Sequence, residues 1–260
     1  MPPLVDIHVH LLAGLDDGPK TPEDALSMCR MMAGEGIGHT VACAHQNDDY
    51  PNNTPDVIRS ATAKLAEGVK SLDLPVTVYP CAEVMVSPEL LDRLKSGELM
   101  TVADNRKYIL LEMPHGLCVE LQWMVEELVQ RGVRPILGHA ERSEELLHDP
   151  GKIEALISAG CLVQVSSKSI THPATREDAA AIKSWFRRRI VHVLGSDGHS
   201  LRRRPPVMAD AFRQVQKWVG DAEATRVGSE NGLAILAGKR ITVPAPEPAN
   251  RKWFSWLFGG

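Results

Sequence analysis

Cysteine is scarce and poorly placed for chemistry. The chain has only five, Cys29, Cys43, Cys81, Cys118 and Cys161. An odd count, wide spacing and no Cys-x-x-Cys pair exclude both a disulfide framework and a zinc knuckle. None is followed six positions later by arginine, so the Cys-x5-Arg loop of cysteine-dependent phosphatases is missing. Small buried hydrophobes are the expected role. Also missing is any apolar run long enough to span a bilayer. The N-terminus, Met-Pro-Pro-Leu-Val-Asp, lacks a charged segment followed by an apolar one. A soluble, cytoplasmic protein is expected. The formal net charge is -4, so no general nucleic-acid footprint is expected.

What is present is a core-forming chain. Its 260 residues, 43% of them hydrophobic, suit one α/β barrel domain or two small domains. Short β-branched runs at 4–8, 40–44, 76–79, 108–112, 135–138, 162–165 and 191–195 predict strands. Amphipathic stretches at 22–34, 55–71, 119–131 and 153–159 predict helices between them. Thr21-Pro22-Glu23-Asp24 reads as a helix start. Gly132 and Gly160 fall just past helix ends, where a left-handed residue is wanted. Strand then helix, about seven times over, argues for a parallel sheet, and closure into a barrel brings all the strand ends to one mouth. The barrel domain is placed at 1–242. The tail 243–260 is Pro-rich and then aromatic, with Trp253, Phe254, Trp256 and Phe258. A strap docked on the barrel is the expected role; an anchor to a partner or a membrane surface is the alternative.

Nine metal-capable side chains fall at the predicted strand ends: His8, His10, Asp17, His45, Glu83, Glu112, His139, Asp197 and His199. His8 and His10 are two apart, so on a strand both project from one face and reach one ion. Asp197 and His199 repeat the spacing. Imidazole and carboxylate suit Mn, Fe, Zn or Mg. Two or three divalent ions are expected, manganese first, with Glu83 and Glu112 as candidate bridges. Such a site activates water near neutral pH and clamps attacking and leaving oxygens, which suits phosphoester hydrolysis. Of the adjacent Asp16 and Asp17, Asp17 is expected to be the ligand and Asp16 a turn-former. Asp6 is expected to orient an imidazole from behind. Arg142 is expected to hold a phosphate oxygen. His199 and His45 are both candidates to protonate the leaving group, and His199 is expected to be catalytic as well as a ligand. His115 follows Glu112-Met-Pro and is a weaker candidate for the mouth. Arg202 to Arg204 read either as a contact for an acidic substrate segment or as a solvated loop.

The run Asp6-Ile-His-Val-His-Leu-Leu-Ala-Gly-Leu-Asp-Asp-Gly-Pro-Lys-Thr resembles the opening of the bacterial protein-tyrosine phosphatases of the PHP (polymerase and histidinol phosphatase) superfamily, the CpsB/YwqE group. Leu110-Leu-Glu-Met-Pro-His, His139-Ala-Glu-Arg, Ser196-Asp-Gly-His and Arg204-Pro-Pro follow in the family's order. The resemblance implies a distorted (β/α)7 barrel with a trinuclear metal site at the C-terminal ends of the strands. It carries ligand roles onto the nine residues above and a phosphate role onto Arg142. It also implies a metal-dependent tyrosine phosphatase whose substrate is the tyrosine-rich tail of a bacterial autokinase controlling capsule or exopolysaccharide synthesis. A histidinol-phosphatase-like enzyme acting on a small molecule is the alternative. Gln46 stands where the family often has a second histidine, and the tail after 242 is not covered. The resemblance is silent on oligomeric state.

Overall fold

In the computed structural model, which describes residues 2–114 and 121–248, seven strands form one parallel sheet in chain order. They are β1 (Leu4–Asp6), β2 (Ile37–Gln46), β3 (Thr77–Met85), β4 (Tyr108–Glu112), β5 (Arg134–Leu137), β6 (Leu162–Ser166) and β7 (Val193–Gly195). The seam between β7 and β1 has no strand ladder. It is stitched just beyond the strand ends by a bridge between Val9 and Gly198 and by Asp197 N donating to His8 O at 2.7 Å. The sheet is thus a seven-stranded barrel drawn together at its mouth, in line with the α/β expectation.

Helices cover the outside: α1 (Pro22–Gly34), α2 (Pro55–Ser71), α3 (Leu90–Ser96), α4 (Gln122–Gln130), α5 (Glu144–His148), α6 (Pro150–Ala159), α7 (Ser167–Thr171), α8 (Arg176–Arg187) and α9 (Ala209–Val219). Local chemistry sets their ends. Thr21 and Thr54 each accept a backbone N–H of the first turn, with proline at the start. Thr175 and Asp178 form a capping box on α8. Gly160 ends α6 in the left-handed region, with φ of 114°.

Two apolar layers follow from the two-residue period of a strand. Ala42, Ala44, Ala82, Val84, Ile109, Leu111, Val163, Val165 and Leu194 face outward under the helices. Val41, Cys43, Cys81, Tyr108, Leu110, Ile136, Leu162 and Val193 fill the barrel interior. The next inward positions toward the mouth are therefore His45 on β2, Glu83 on β3, Glu112 on β4 and Gln164 on β6. Hydrophobic packing below fixes which way these polar side chains point.

The strands differ from expectation in extent. β2 and β3 run longer, β3 continuing through Pro80, which sits opposite Ala42. β1 is shorter. The Asp6 carboxylate accepts the N–H of His8 at 3.1 Å and of Ser196 at 3.0 Å. Side-chain acceptors replace ladder partners there, and the chain leaves the sheet. His8, His10, Asp197 and His199 consequently lie just past β1 and β7 rather than within them. Asp6 orients two backbone segments and not an imidazole ring, which corrects its expected role.

Past residue 236 the chain runs without helix or strand. Val243 packs on the core, and Glu247 exchanges hydrogen bonds with Arg188, N to O at 2.9 Å and O from Nε at 2.8 Å. The aromatic segment from Trp253 onward, His115 and Cys118 lie outside the described residues. The other four cysteines are buried and unpaired; burial pushes the thiols of Cys29 and Cys161 up to about 12.

Candidate metal centre

All nine sequence-predicted ligands meet at the mouth. They form four overlapping groups whose ligand atoms lie within 4.8 Å of one another. One is His10, Asp17, His45 and His199. The others are His8, His10 and Asp197; His8, Glu83 and His139; and His45, Glu83 and Glu112. Glu83 is the hub. Its Oε2 lies 3.2 Å from His8 Nε2, 3.1 Å from His10 Nε2 and 3.3 Å from His45 Nδ1, and its Oε1 lies 2.8 Å from His139 Nε2.

The contacts behind the rings decide which nitrogen faces inward. Gln164 Oε1 accepts the His139 backbone N–H at 2.7 Å and lies 3.0 Å from His8 Nδ1. The shared atom must be the amide oxygen, so His8 Nδ1 carries the proton and Nε2 presents a lone pair. Asp16 does the same for His10, with Oδ2 at 2.7 Å from Nδ1. It also accepts the Gly18 and His45 N–H groups. Asp16 is thus a turn-former, as expected, and an imidazole orienter as well, the task expected of Asp6. His199 Nδ1 donates to the Asp197 carbonyl at 3.0 Å, leaving Nε2 facing Asp17 Oδ1 at 3.3 Å.

Backbone and space serve the same end. His139 and Asp197 hold φ of 32° and 52°, a conformation that costs a non-glycine residue of order 1 kcal/mol or more and clusters at functional sites. Gly195 leaves room for His8: a Cβ there would stand 2.7 Å from His8 Cβ and 2.9 Å from Gln164 Nε2.

The donor set fits divalent cations. His8 Nε2, His45 Nδ1, Asp197 Oδ1 and His199 Nε2 are buried without hydrogen-bond partners, as expected of atoms shaped for an ion. The electrostatics call for positive charge. Burial pulls His8 down, yet Glu83 and Asp197 raise it to about 9. His10 rises to about 9 against burial through Asp16 and Glu83, and His45 to about 11 through Asp17, Glu112 and Glu83. Burial alone would raise Glu83, but His8, His10 and His139 hold it well below the usual carboxylate range. Protons on imidazole answer a demand for positive charge that metal cations would meet instead, taking up the same lone pairs.

Two arginines frame the mouth. Arg142 and Arg204 each bond Asp197 Oδ2 through Nη2, and Arg204 Nη1 also lies 3.9 Å from Asp17 Oδ2. Arg142, expected to hold a phosphate oxygen, bonds Asp197 at this rim. Arg204 is expected only within the run Arg202 to Arg204, so its bond to Asp197 and the orienting role of Gln164 are not predicted; the signal for Arg204 lies in the Arg-Pro-Pro motif, whereas Gln164 has none. Tyr50 stacks on His45, with ring centroids 5.7 Å apart and planes at 10°. Gln46 is buried and structural, its amide bonding Asn53 O, Glu98 O and Met100 N.

The family model described as capsular polysaccharide synthesis, CpsB/CapC, matches residues 4–237. The tyrosine-protein phosphatase YwqE of Bacillus subtilis is 26% identical over 250 residues, covering 96% of this chain and 98% of its own. The tyrosine-protein phosphatase CpsB of Streptococcus pneumoniae is 25% identical over 244 residues, covering 92% and 100%. A solved structure from the work on B. subtilis YwqE and S. pneumoniae CpsB, described as unique metal-dependent tyrosine phosphatases, superposes with a TM-score of 0.87 at 25% identity, covering 95% of this chain and all of the other.

Proposed function

The chain belongs to the CpsB/CapC family of capsular polysaccharide synthesis, and on that footing we propose that it is a metal-dependent protein-tyrosine phosphatase. The observation that carries the reading is the convergence of nine candidate ligand side chains at the barrel mouth, four of the histidines contacting Glu83, with Arg142 and Arg204 at the rim. The nine residues His8, His10, Asp17, His45, Glu83, Glu112, His139, Asp197 and His199 hold two or three divalent ions, manganese first. Glu83 offers one oxygen to His8, His10 and His45 and the other to His139, which suits a carboxylate shared between ions. When bound, such ions acidify water to hydroxide near neutral pH and neutralise phosphate oxygens.

The residues around them do the rest. Arg142 and Arg204 present guanidinium groups at the rim, where they take the non-bridging oxygens of an entering phosphate and gather their charge in the transition state. The phenol of tyrosine has a pKa of about 10, so its oxygen leaves with little help from an acid. His199, with Nδ1 donating to the Asp197 carbonyl, presents a lone pair to the pocket. That tautomer suits a ligand and not a proton donor. Tyr50, parallel to His45, offers a wall for an aromatic ring.

The substrate is a tyrosine-phosphorylated protein, and the family's role in capsule synthesis points to the tail of a bacterial tyrosine kinase. Among the described residues no helix is long and apolar enough to cross a membrane, and the enzyme acts on this reading in the cytoplasm. Phosphate release from phosphotyrosine peptide, phosphoserine peptide and histidinol phosphate, compared side by side with Mn²⁺, tests the reading. Release from phosphotyrosine alone is expected. A preference for histidinol phosphate would move the function to a small metabolite.

A further inference from the structure

A groove of about 980 Å³ opens beside the metal centre, sharing Asp17 and His199 with it. Five cationic side chains line it, Lys20, Lys168, Arg202, Arg203 and Arg204, against the acids Asp17 and Asp24. Asp17 is engaged by His45, His199 and Arg204. Lys20 donates to the backbone oxygen of Asp16 at 3.1 Å. Lys168, Arg202 and Arg203 are exposed, and among the described residues no carboxylate pairs with any of them. In a chain of net charge -4, this gathers unneutralised cations directly beside the metal centre.

We infer that this groove receives an acidic stretch of polypeptide flanking the phosphotyrosine. The inference rests on the phosphatase reading. A phosphate seated at the metal centre puts its tyrosine at the rim, and the peptide on one side then runs over residues 200–204 and Lys168. Cations with no internal partner lose little when they meet an incoming carboxylate, and each such exposed contact adds modestly. Three together amount to about tenfold in affinity. The field is local and the chain as a whole is acidic, so a nucleic-acid backbone is the less suited occupant.

The test uses the Mn²⁺-loaded full chain and two fluorescein-labelled peptides carrying the non-hydrolysable phosphonodifluoromethyl analogue of phosphotyrosine. One has Glu and Asp flanks, the other Ser and Gln flanks of equal length. Anisotropy titration is expected to show the acidic peptide bound about tenfold tighter at low salt, with the preference shrinking as salt rises. K168A/R202A/R203A is expected to abolish the preference. K70A/R187A/K217A, which removes three cations from the last turns of α2, α8 and α9, is expected to keep it. No preference in the parent chain, or equal loss in both variants, would overturn the inference. Displacement of the acidic peptide by an oligonucleotide of matched charge would do the same. Turnover of p-nitrophenyl phosphate, measured alongside, reports on the phosphatase reading by itself; the peptide ratio reports on the groove.

Discussion

Gln164 reaches across the barrel mouth to His8, its Oε1 3.0 Å from Nδ1 of the imidazole. The same oxygen accepts the His139 N–H at 2.7 Å. One uncharged side chain thereby sets the tautomer of one candidate ligand and the backbone position of another.

Gln164→Leu keeps the bulk and removes the acceptor. Metal affinity is expected to fall about 10- to 100-fold, as when other outer partners of ligating histidines are lost. The orphaned His139 N–H adds a stability cost of about 1–3 kcal/mol. Competition against a metal-binding dye and thermal melts of the metal-free protein measure the two effects separately.

Asp16 and Asp17 are neighbours with different work. Asp16 is buried and bonds His10 Nδ1, while Asp17 is half exposed and faces His45 and His199. Asp16→Ala is expected to weaken binding about 10- to 100-fold yet leave the number of ions at saturation unchanged. Asp17→Ala removes a donor from the group of His10, His45 and His199 and is expected to lower that number by one. Elemental analysis of the two saturated variants decides it.

Arg142 and Arg204 converge on one carboxylate oxygen of Asp197, so their effects are expected to be coupled. Each single alanine variant is expected to lower kcat/KM for phosphotyrosine peptide by about 10²- to 10³-fold. The double variant is expected to lose less than the product, because residues sharing a partner do not act independently. A double-mutant cycle with a zero coupling energy would show that they hold separate oxygens independently.

His192 ties stability to pH away from the metal centre. Burial, then Arg226 and Arg134, lower it to about 3, and Nδ1 accepts the Val163 N–H at 2.9 Å. The folded form thus binds fewer protons than the unfolded form between pH about 3 and 6.5. Stability from this group is complete above pH about 6.5 and is lost as pH falls through that window. By pH 5 the loss is about 2 kcal/mol. Urea midpoints for the parent chain and His192→Gln are expected to converge between pH 7 and 5; a constant difference would mean that His192 does not stay neutral when folded.

The barrel and the meeting of the nine side chains at its mouth were legible because both depend on strand period. The inward positions His45, Glu83 and Glu112 continue the apolar alternation below them, so residue type and parity together point to the mouth. Gln164 has the same parity as these but no signature of its own: glutamine is common, and its role appears only when β6 is placed opposite His8. The roles of Asp6 and Asp16 were unreadable for a related reason. Which carboxylate turns back on the chain and which orients an imidazole depends on where β1 leaves the ladder, a tertiary outcome. β3 was expected to end at 79 and instead continues through Pro80 to Met85, because pairing with β2 and β4 on both sides outweighs local preference.

The central claim is that the nine clustered side chains hold ions on which phosphotyrosine turnover depends. Its most direct test is a titration of stripped protein with Mn²⁺, reading bound metal per chain by elemental analysis and phosphotyrosine turnover on the same samples. Turnover absent without metal and rising to a plateau at two or three ions per chain is the predicted result. Full turnover in rigorously stripped protein, or saturation with metal without any turnover, would contradict it.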